Sequence, residues 1–250
     1  MDTGTYSVRV DLDLWSAVAA AMWGAVAGAL VPRAAHRLSV EPGQPWRDRC
    51  PDGHPIGGWV GWARCAEGRS YGPGTVLVCA VTALVCAALA LATGTRPELG
   101  VWLLLAPVGV LLTIVDFRVQ RLPDVLTLPL AALALVLLAV VAALPDHAGE
   151  WLTALLGALV LGGAYFLLFL INPNGMGFGD VKLALGLGAV LGWYGWPTVV
   201  LGTFAGFLFG GLYGLGLVLA RRAGRRTAIP FGPFLIAGAF VGLLIGAYAA

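Results

Sequence analysis

Apolar residues in this chain fall into runs of about 20, broken by short polar stretches. They show neither the one-sided stripe of a soluble helix nor the alternation of a strand. Eight such runs can be drawn, at 14–32, 74–94, 99–115, 124–144, 151–171, 180–194, 197–220 and 230–249. A helix needs about 20 apolar residues to cross a hydrocarbon core about 30 Å thick. The pattern therefore predicts an all-α integral membrane protein, a bundle of about eight transmembrane helices. The sixth run is short and glycine-rich. It merges with the seventh through Gly192-Trp193-Tyr194-Gly195-Trp196-Pro197, an aromatic turn of the kind found at a membrane interface.

Composition agrees. Of 250 residues, 59% are hydrophobic and 11% charged, less than half the roughly 25% charged residues of soluble domains. Asp2, Arg9, Asp11 and Asp13 precede the first run, the wrong charge for a cleavable signal peptide, so that run is expected to stay as a helix. Four cysteines do not make a disulfide framework. The placement of charge adds more than its net value. All 15 basic residues except Arg9, Arg96 and Lys182 fall in the loops after runs one, three and seven. By the positive-inside rule those loops face the cytoplasm and both termini lie outside. The expected layout is a tail and first helix (1–32), a short cytoplasmic loop domain (33–73) and a seven-helix membrane core (74–250). The bilayer is an expected partner and nucleic acid is not.

Glycines at four-residue intervals, Gly24/Gly28, Gly206/Gly210/Gly214 and Gly238/Gly242/Gly246, predict close helix packing and carry no chemistry. Two carboxylates need a different explanation. Asp116 closes the third run, and Asp180 opens the sixth within Gly175-Met176-Gly177-Phe178-Gly179-Asp180. The span count puts both at the cytoplasmic face. Taken singly, Asp180 could be a helix N-cap and Asp116 a solvated residue at a helix end. Taken together, close carboxylates share a proton, so that one serves as base and the other as acid. With Asp116 at a helix C-terminus and Asp180 at an N-terminus, the helix dipoles place the shared proton on Asp116 and leave Asp180 as the base.

Three segments resemble the signatures of the type IV prepilin peptidases. Asp116-Phe117-Arg118-Val119-Gln120-Arg121-Leu122-Pro123-Asp124 is similar to the first, Gly177-Phe178-Gly179-Asp180-Val181-Lys182 to the Gly-x-Gly-Asp signature, and Ile229-Pro230-Phe231-Gly232-Pro233-Phe234 to a third. The resemblance implies an intramembrane aspartyl protease that removes the basic leader of prepilins or type II secretion pseudopilins at the cytoplasmic membrane. It implies Asp116 and Asp180 as the catalytic pair, with Gly177, Gly179, Lys182, Asp124, Pro230 and Gly232 binding substrate or supporting the site. Asp124 is expected to cap the fourth helix, and Lys182 to snorkel to the interface.

The loop departs from the family. Many members carry two Cys-x-x-Cys pairs that could hold zinc, where this chain reads Cys50-Pro51-Asp52-Gly53 and Cys65-Ala66-Glu67-Gly68. Cys50, His54 and Cys65 remain as a partial set, and no bound metal is expected. Proteolysis needs no cofactor; S-adenosylmethionine enters only if the family's N-methyltransferase activity is kept. Two other readings stay open: a small proton-coupled transporter or channel using Asp116 and Asp180, and a non-catalytic membrane assembly protein.

Overall fold

The computed structural model describes residues 3–65, 67–173, 175–220 and 229–250. It contains eight α-helices: α1 (Thr3–Leu38), α2 (Thr75–Thr93), α3 (Glu98–Val119), α4 (Asp124–Val141), α5 (Trp151–Ile171), α6 (Phe178–Gly192), α7 (Trp196–Leu219) and α8 (Gly232–Ala249). Seven are long and apolar enough to cross a membrane; α6, with 15 residues, is the short one. The chain is thus a multi-pass helical membrane protein. Arg221, Arg222, Arg225 and Arg226, which carry part of the orientation argument, lie outside the described residues.

The chain divides into two compact units, Met1–Ile114 and Val115–Ala250. In the first, α1 and α2 meet backbone to backbone. A Cβ on Gly24 would lie 2.6 Å from the Thr82 carbonyl oxygen, and one on Gly28 2.9 Å from Cys79 Cα, so only glycine permits this approach. The first half of α3 joins them through Ala17, Ala20, Cys86 and Ala90, against which Leu99 and Leu103 pack, and through a Trp23 Nε1 donation to the Leu103 carbonyl (2.9 Å).

The loop of this unit holds two matching hairpin turns. In one, Gly53 N–H donates to the Cys50 carbonyl and Cys50 N–H to that of His54; in the other, Gly68 N–H donates to Cys65 and Cys65 N–H to Arg69. Gly53 and Gly68 both take positive φ, +86° and +80°, which explains why the repeated Arg-Cys-x-x-Gly sequence ends each turn in glycine. The hairpins are cross-linked reciprocally. Arg69 pairs with Asp52 (2.9 Å), and His54 Nε2 faces Glu67 (3.6 Å).

In the second unit α6 is the enclosed element, with α4, α5, α7 and α8 packed on it. Asp180, Ala184, Leu191 and most of its other side chains are buried. Its contact with α5 runs over Gly157, Gly188 and Gly192, where added Cβ atoms would strike opposing backbone. The sequence reading singled out glycines in α7 and α8, whose contact is indeed made through Gly202, Gly206, Gly238 and Gly242; it missed the α5–α6 ridge. Enclosure on all sides explains why α6 tolerates its short length: protein, not lipid, meets most of its surface.

Candidate functional site

The site is built where α3 ends and α6 and α8 begin. Helix α3 does not stop at Asp116, as the sequence suggested, but continues to Val119, anchored by Phe117 packed edge-on against Phe234 at 6.1 Å. It ends at Gln120, a non-glycine residue with φ +50°, whose N–H closes on the Asp116 carbonyl (2.8 Å). This left-handed residue turns the chain back toward α4 and drives Leu122 inward. Leu122 is buried, with its Cβ against Gly179 and its Cδ1 against Gly232. One side chain thus wedges the beginnings of α6 and α8 against the end of α3.

Both aspartates are buried, Asp116 to 4% and Asp180 to 7% residual exposure, and each is met by a backbone amide. Gly232 N–H donates to Asp116 Oδ2 (3.0 Å), and Gly177 N–H to Asp180 Oδ2 (3.3 Å). Gly232 opens α8 and is followed by Pro233, so its N–H has no partner within the helix and turns to the carboxylate. Asp180 is the third residue of α6, with Gly177 as N-cap, and reaches back to the cap amide; it is not itself the cap. Both carboxylates therefore sit at the positive end of a helix, Asp116 at that of α8 and Asp180 at that of its own α6. Asp116 still lies in the last turn of α3, so the α8 N-terminus offsets the negative end of α3 and narrows the dipole asymmetry that assigned the shared proton to Asp116. Leu122, touching Gly179 beside Asp180 and Gly232 on Asp116, brings the two carboxylates to one place. Among the described residues Oδ1 of neither carboxylate takes a hydrogen bond, which leaves an oxygen on each for water or substrate.

Glycine is required twice here. A Cβ on Gly232 would stand 2.8 Å from Asp116 Oδ2, and one on Gly179 2.9 Å from Leu122 Cβ. Gly177 faces Asp180 itself, 3.4 Å from where its Cβ would be. Pro230 is half-buried in the segment leading into α8. Lys182 and Asp124 correct the sequence reading. Asp124 makes no side-chain cap of α4, whose N-cap is Pro123. Its Oδ2 pairs with Lys182 Nζ at 2.6 Å, and that ammonium also lies over the Phe178 ring at 4.8 Å. The two residues bind α4 to α6 beside the dyad. Since the Asp124 side chain is 60% exposed, the pair is worth about 0–1 kcal/mol.

Tyr165 of α5 escaped the sequence reading. It is buried to 2%, stacked on Phe207 (5.9 Å), and its hydroxyl has no partner among the described residues. It lines a small cavity, with room for about one water, together with Ala184, Leu187, Leu191 and Thr203, whose hydroxyl is likewise unpartnered. Ala184 lies one turn beyond Asp180 on the same face of α6. The available signal was a lone phenol in an otherwise aliphatic and phenylalanine-bearing span, since a buried tyrosine hydroxyl ordinarily finds a partner.

In the loop, the hairpins bring together the three residues the sequence left as a partial set. Cys50 Sγ lies 3.1 Å from Cys65 Sγ and 3.7 Å from His54 Nδ1, and His54 Nδ1 lies 2.9 Å from Cys65 Sγ. Burial pushes the Cys50 thiol up, but hydrogen bonds from Cys65 and His54 outweigh it and bring it to about 7. These donors could hold a divalent ion through two thiolates and an imidazole whose Nε2 faces Glu67. They are one short of a closed tetrahedral zinc site.

A polytopic helical membrane protein with a buried carboxylate pair at helix ends is the class that this fold and site define. Residues 103–215 match the type IV leader peptidase family. The prepilin leader peptidase/N-methyltransferase of Escherichia coli K12 is 33% identical over 172 residues, covering 67% of this chain and 72% of that protein. The chain belongs to this family. Proteins of the same description from Aeromonas salmonicida A449 (41% identical; 58% of this chain, 48% of the relative) and Pseudomonas aeruginosa PAO1 (33% identical; 76% and 63%) are also similar. The chain spans about half the length of the Aeromonas relative. No solved structure matches the chain.

Proposed function

We propose that this chain is a membrane aspartyl endopeptidase that removes the basic leader from type IV prepilins or type II secretion pseudopilins. It does so at the cytoplasmic face of the bacterial cytoplasmic membrane. The observation that carries the reading is the buried pair of Asp116 and Asp180, each with one oxygen held by a backbone amide and one without a partner among the described residues. The names of the relatives supply the substrate class.

In this reading one carboxylate accepts a proton from a water while the water oxygen attacks the scissile carbonyl carbon. The other, protonated, gives its proton to the carbonyl oxygen. The tetrahedral adduct then collapses: the C–N bond breaks, the amine leaves with the proton taken from water, and a hydroxyl of the adduct returns its proton to the other carboxylate, so that the dyad is again singly protonated. Hydrolysis consumes one water and frees the leader carboxylate and the new amino terminus. The amides of Gly177 and Gly232 fix the carboxylate planes so that Oδ1 of each faces the reaction. The proposal stops at hydrolysis, which needs no cofactor. The N-methylation in the relatives' names would need S-adenosylmethionine and rests on no residue described above.

Purified protein in liposomes, mixed with a prepilin, tests the reading by mass spectrometry of the product. Loss of the leader, abolished by Asp116→Asn, is expected. An intact prepilin together with proton flux that depends on Asp116 and Asp180 would replace the peptidase by a transporter.

A further inference from the structure

The turn Gly57–Trp62 in the first unit presents large apolar side chains to the outside. Trp59, Val60 and Trp62 are 45%, 61% and 54% exposed, on a loop that is otherwise polar. An exposed apolar patch has an occupant, and the way the turn is tied down identifies it. Gly61 N–H donates to the Leu30 carbonyl (3.0 Å), and Arg33 N–H to the Gly61 carbonyl (3.2 Å). Arg33 clasps the Gly57 and Trp62 carbonyls (2.6 and 3.1 Å), and Arg37 that of Gly58 (2.7 Å). Gly58 and Gly61 take φ +74° and +126°, so the tip is shaped by glycine and held by arginine.

These anchors lie on one stripe of α1. Trp15, Val18, Met22, Val26 and Leu30 are spaced by three or four residues and are all exposed; Arg33 and Arg37 continue the same stripe. On a helix long and apolar enough to span a membrane, an exposed apolar stripe faces lipid. From Leu12 to Leu30 α1 rises about 27 Å, close to the hydrocarbon thickness of about 30 Å. Arg33 and Arg37 then stand at headgroup level, and the tip they hold stands there with them. Each tryptophan also has a guanidinium over its ring, Arg37 over Trp59 at 4.1 Å and Arg64 over Trp62 at 5.2 Å. Tryptophan beside arginine is the composition of a membrane–water interface.

We propose that the Trp59–Trp62 turn is an interfacial anchor. It inserts Trp59, Val60 and Trp62 into the headgroup region of the leaflet where α1 ends, prolonging the lipid-facing stripe of α1. The loop domain is thereby seated on the bilayer and does not tumble above it. The occupant is the lipid of the protein's own membrane. Three apolar side chains carried by a tether with five backbone-directed hydrogen bonds suit a fluid surface that offers no partner side chains.

The test uses the full chain, labelled with 5-fluorotryptophan, in nanodiscs of phosphatidylcholine and phosphatidylglycerol. Trp59→Phe and Trp62→Phe serve only to assign the two fluorine signals. A nitroxide on the lipid acyl chain close to the glycerol should erase both signals, while a dissolved gadolinium chelate should leave them sharp. Signals erased by the dissolved chelate and spared by the lipid label overturn the anchor in favour of a free loop. Signals spared by both overturn it in favour of a protein cover, a second copy or a partner. As a second variant, Val60→Glu should raise the broadening of Trp59 and Trp62 by the dissolved chelate. No change there also counts against insertion.

Discussion

The carboxylate cluster of the second unit and the thiol cluster of the first are both knots of buried polar atoms, built in opposite ways. Asp116 and Asp180 are held by backbone: the Gly232 and Gly177 amides, with a glycine wherever a Cβ would intrude. Cys50, His54 and Cys65 are held by side chains presented from two hairpins, which salt bridges to Asp52 and Glu67 steady from outside. A backbone-built site tolerates no change of shape at its glycines, whereas a side-chain-built site tolerates changes of shape and fails on changes of donor. The comparison suggests that the first knot is positioned for chemistry and the second for holding two turns together.

The largest effect should come from the carboxylates. Asp116→Asn and Asp180→Asn are each expected to lower leader cleavage by about 10²–10⁴-fold, the usual weight of a general acid or base, with unchanged yield of folded protein in detergent. If only one of them matters in an initial-rate assay, the two do not act as a pair. Next comes shape. Gly232→Ala places a methyl 2.8 Å from Asp116 Oδ2 and should cost about 10²-fold in kcat, as misplacement by about 1 Å does. Full activity in that variant would break the claim that backbone builds the site.

Tyr165→Phe sharpens the comparison because its two readouts move apart. Removing a buried hydroxyl that has no partner among the described residues should raise stability by about 1–3 kcal/mol, seen as a higher unfolding temperature. Cleavage should slow severalfold, since its cavity reaches Ala184, one turn from Asp180. A variant that is both more stable and fully active assigns Tyr165 to packing alone. The Lys182–Asp124 pair should matter less: Lys182→Met is expected to change stability by about 0–1 kcal/mol and to leave cleavage measurable. Smallest of all, Cys50→Ser and Cys65→Ser should leave the cleavage rate within about twofold, as suits a knot that acts on the loop. A deep loss of cleavage in either would mean that the two clusters are functionally one.

Much of the fold was legible because bilayer thickness is a stringent ruler: the apolar runs mark α2 to α8 to within a few residues, whereas α1 (Thr3–Leu38) outruns its apolar run 14–32 at both ends. The dyad was legible because Asp116 and Asp180 are carboxylates at run ends and Gly179 and Gly232 are glycines in signature segments. What the sequence hid has physical causes. The end of α3 was misplaced because Gln120, not a glycine, takes the left-handed conformation that stops the helix. The Asp124–Lys182 pair was hidden because it joins residues 58 positions apart, and each had a plausible local role. The convergence of Cys50, His54 and Cys65 was hidden because the ligand spacing of a Cys-x-x-Cys turn is broken, and His54 enters one position later than a second cysteine would. The amide of Gly232 could not be seen at all, since a backbone N–H leaves no letter in the sequence.

The shortness of α6 has a consequence for the host membrane. Fifteen residues rise about 22 Å, some 8 Å less than an average hydrocarbon core. Because α4, α5, α7 and α8 enclose α6, lipid does not take up this shortfall; it is taken up inside the bundle, as a recessed helix end. The end that carries Asp180 follows Gly175 and Gly177 and opens onto a polar segment. The dyad's access to water is then set inside the bundle, and cleavage should change little between liposomes of short and long acyl chains, with the substrate and the protein unchanged.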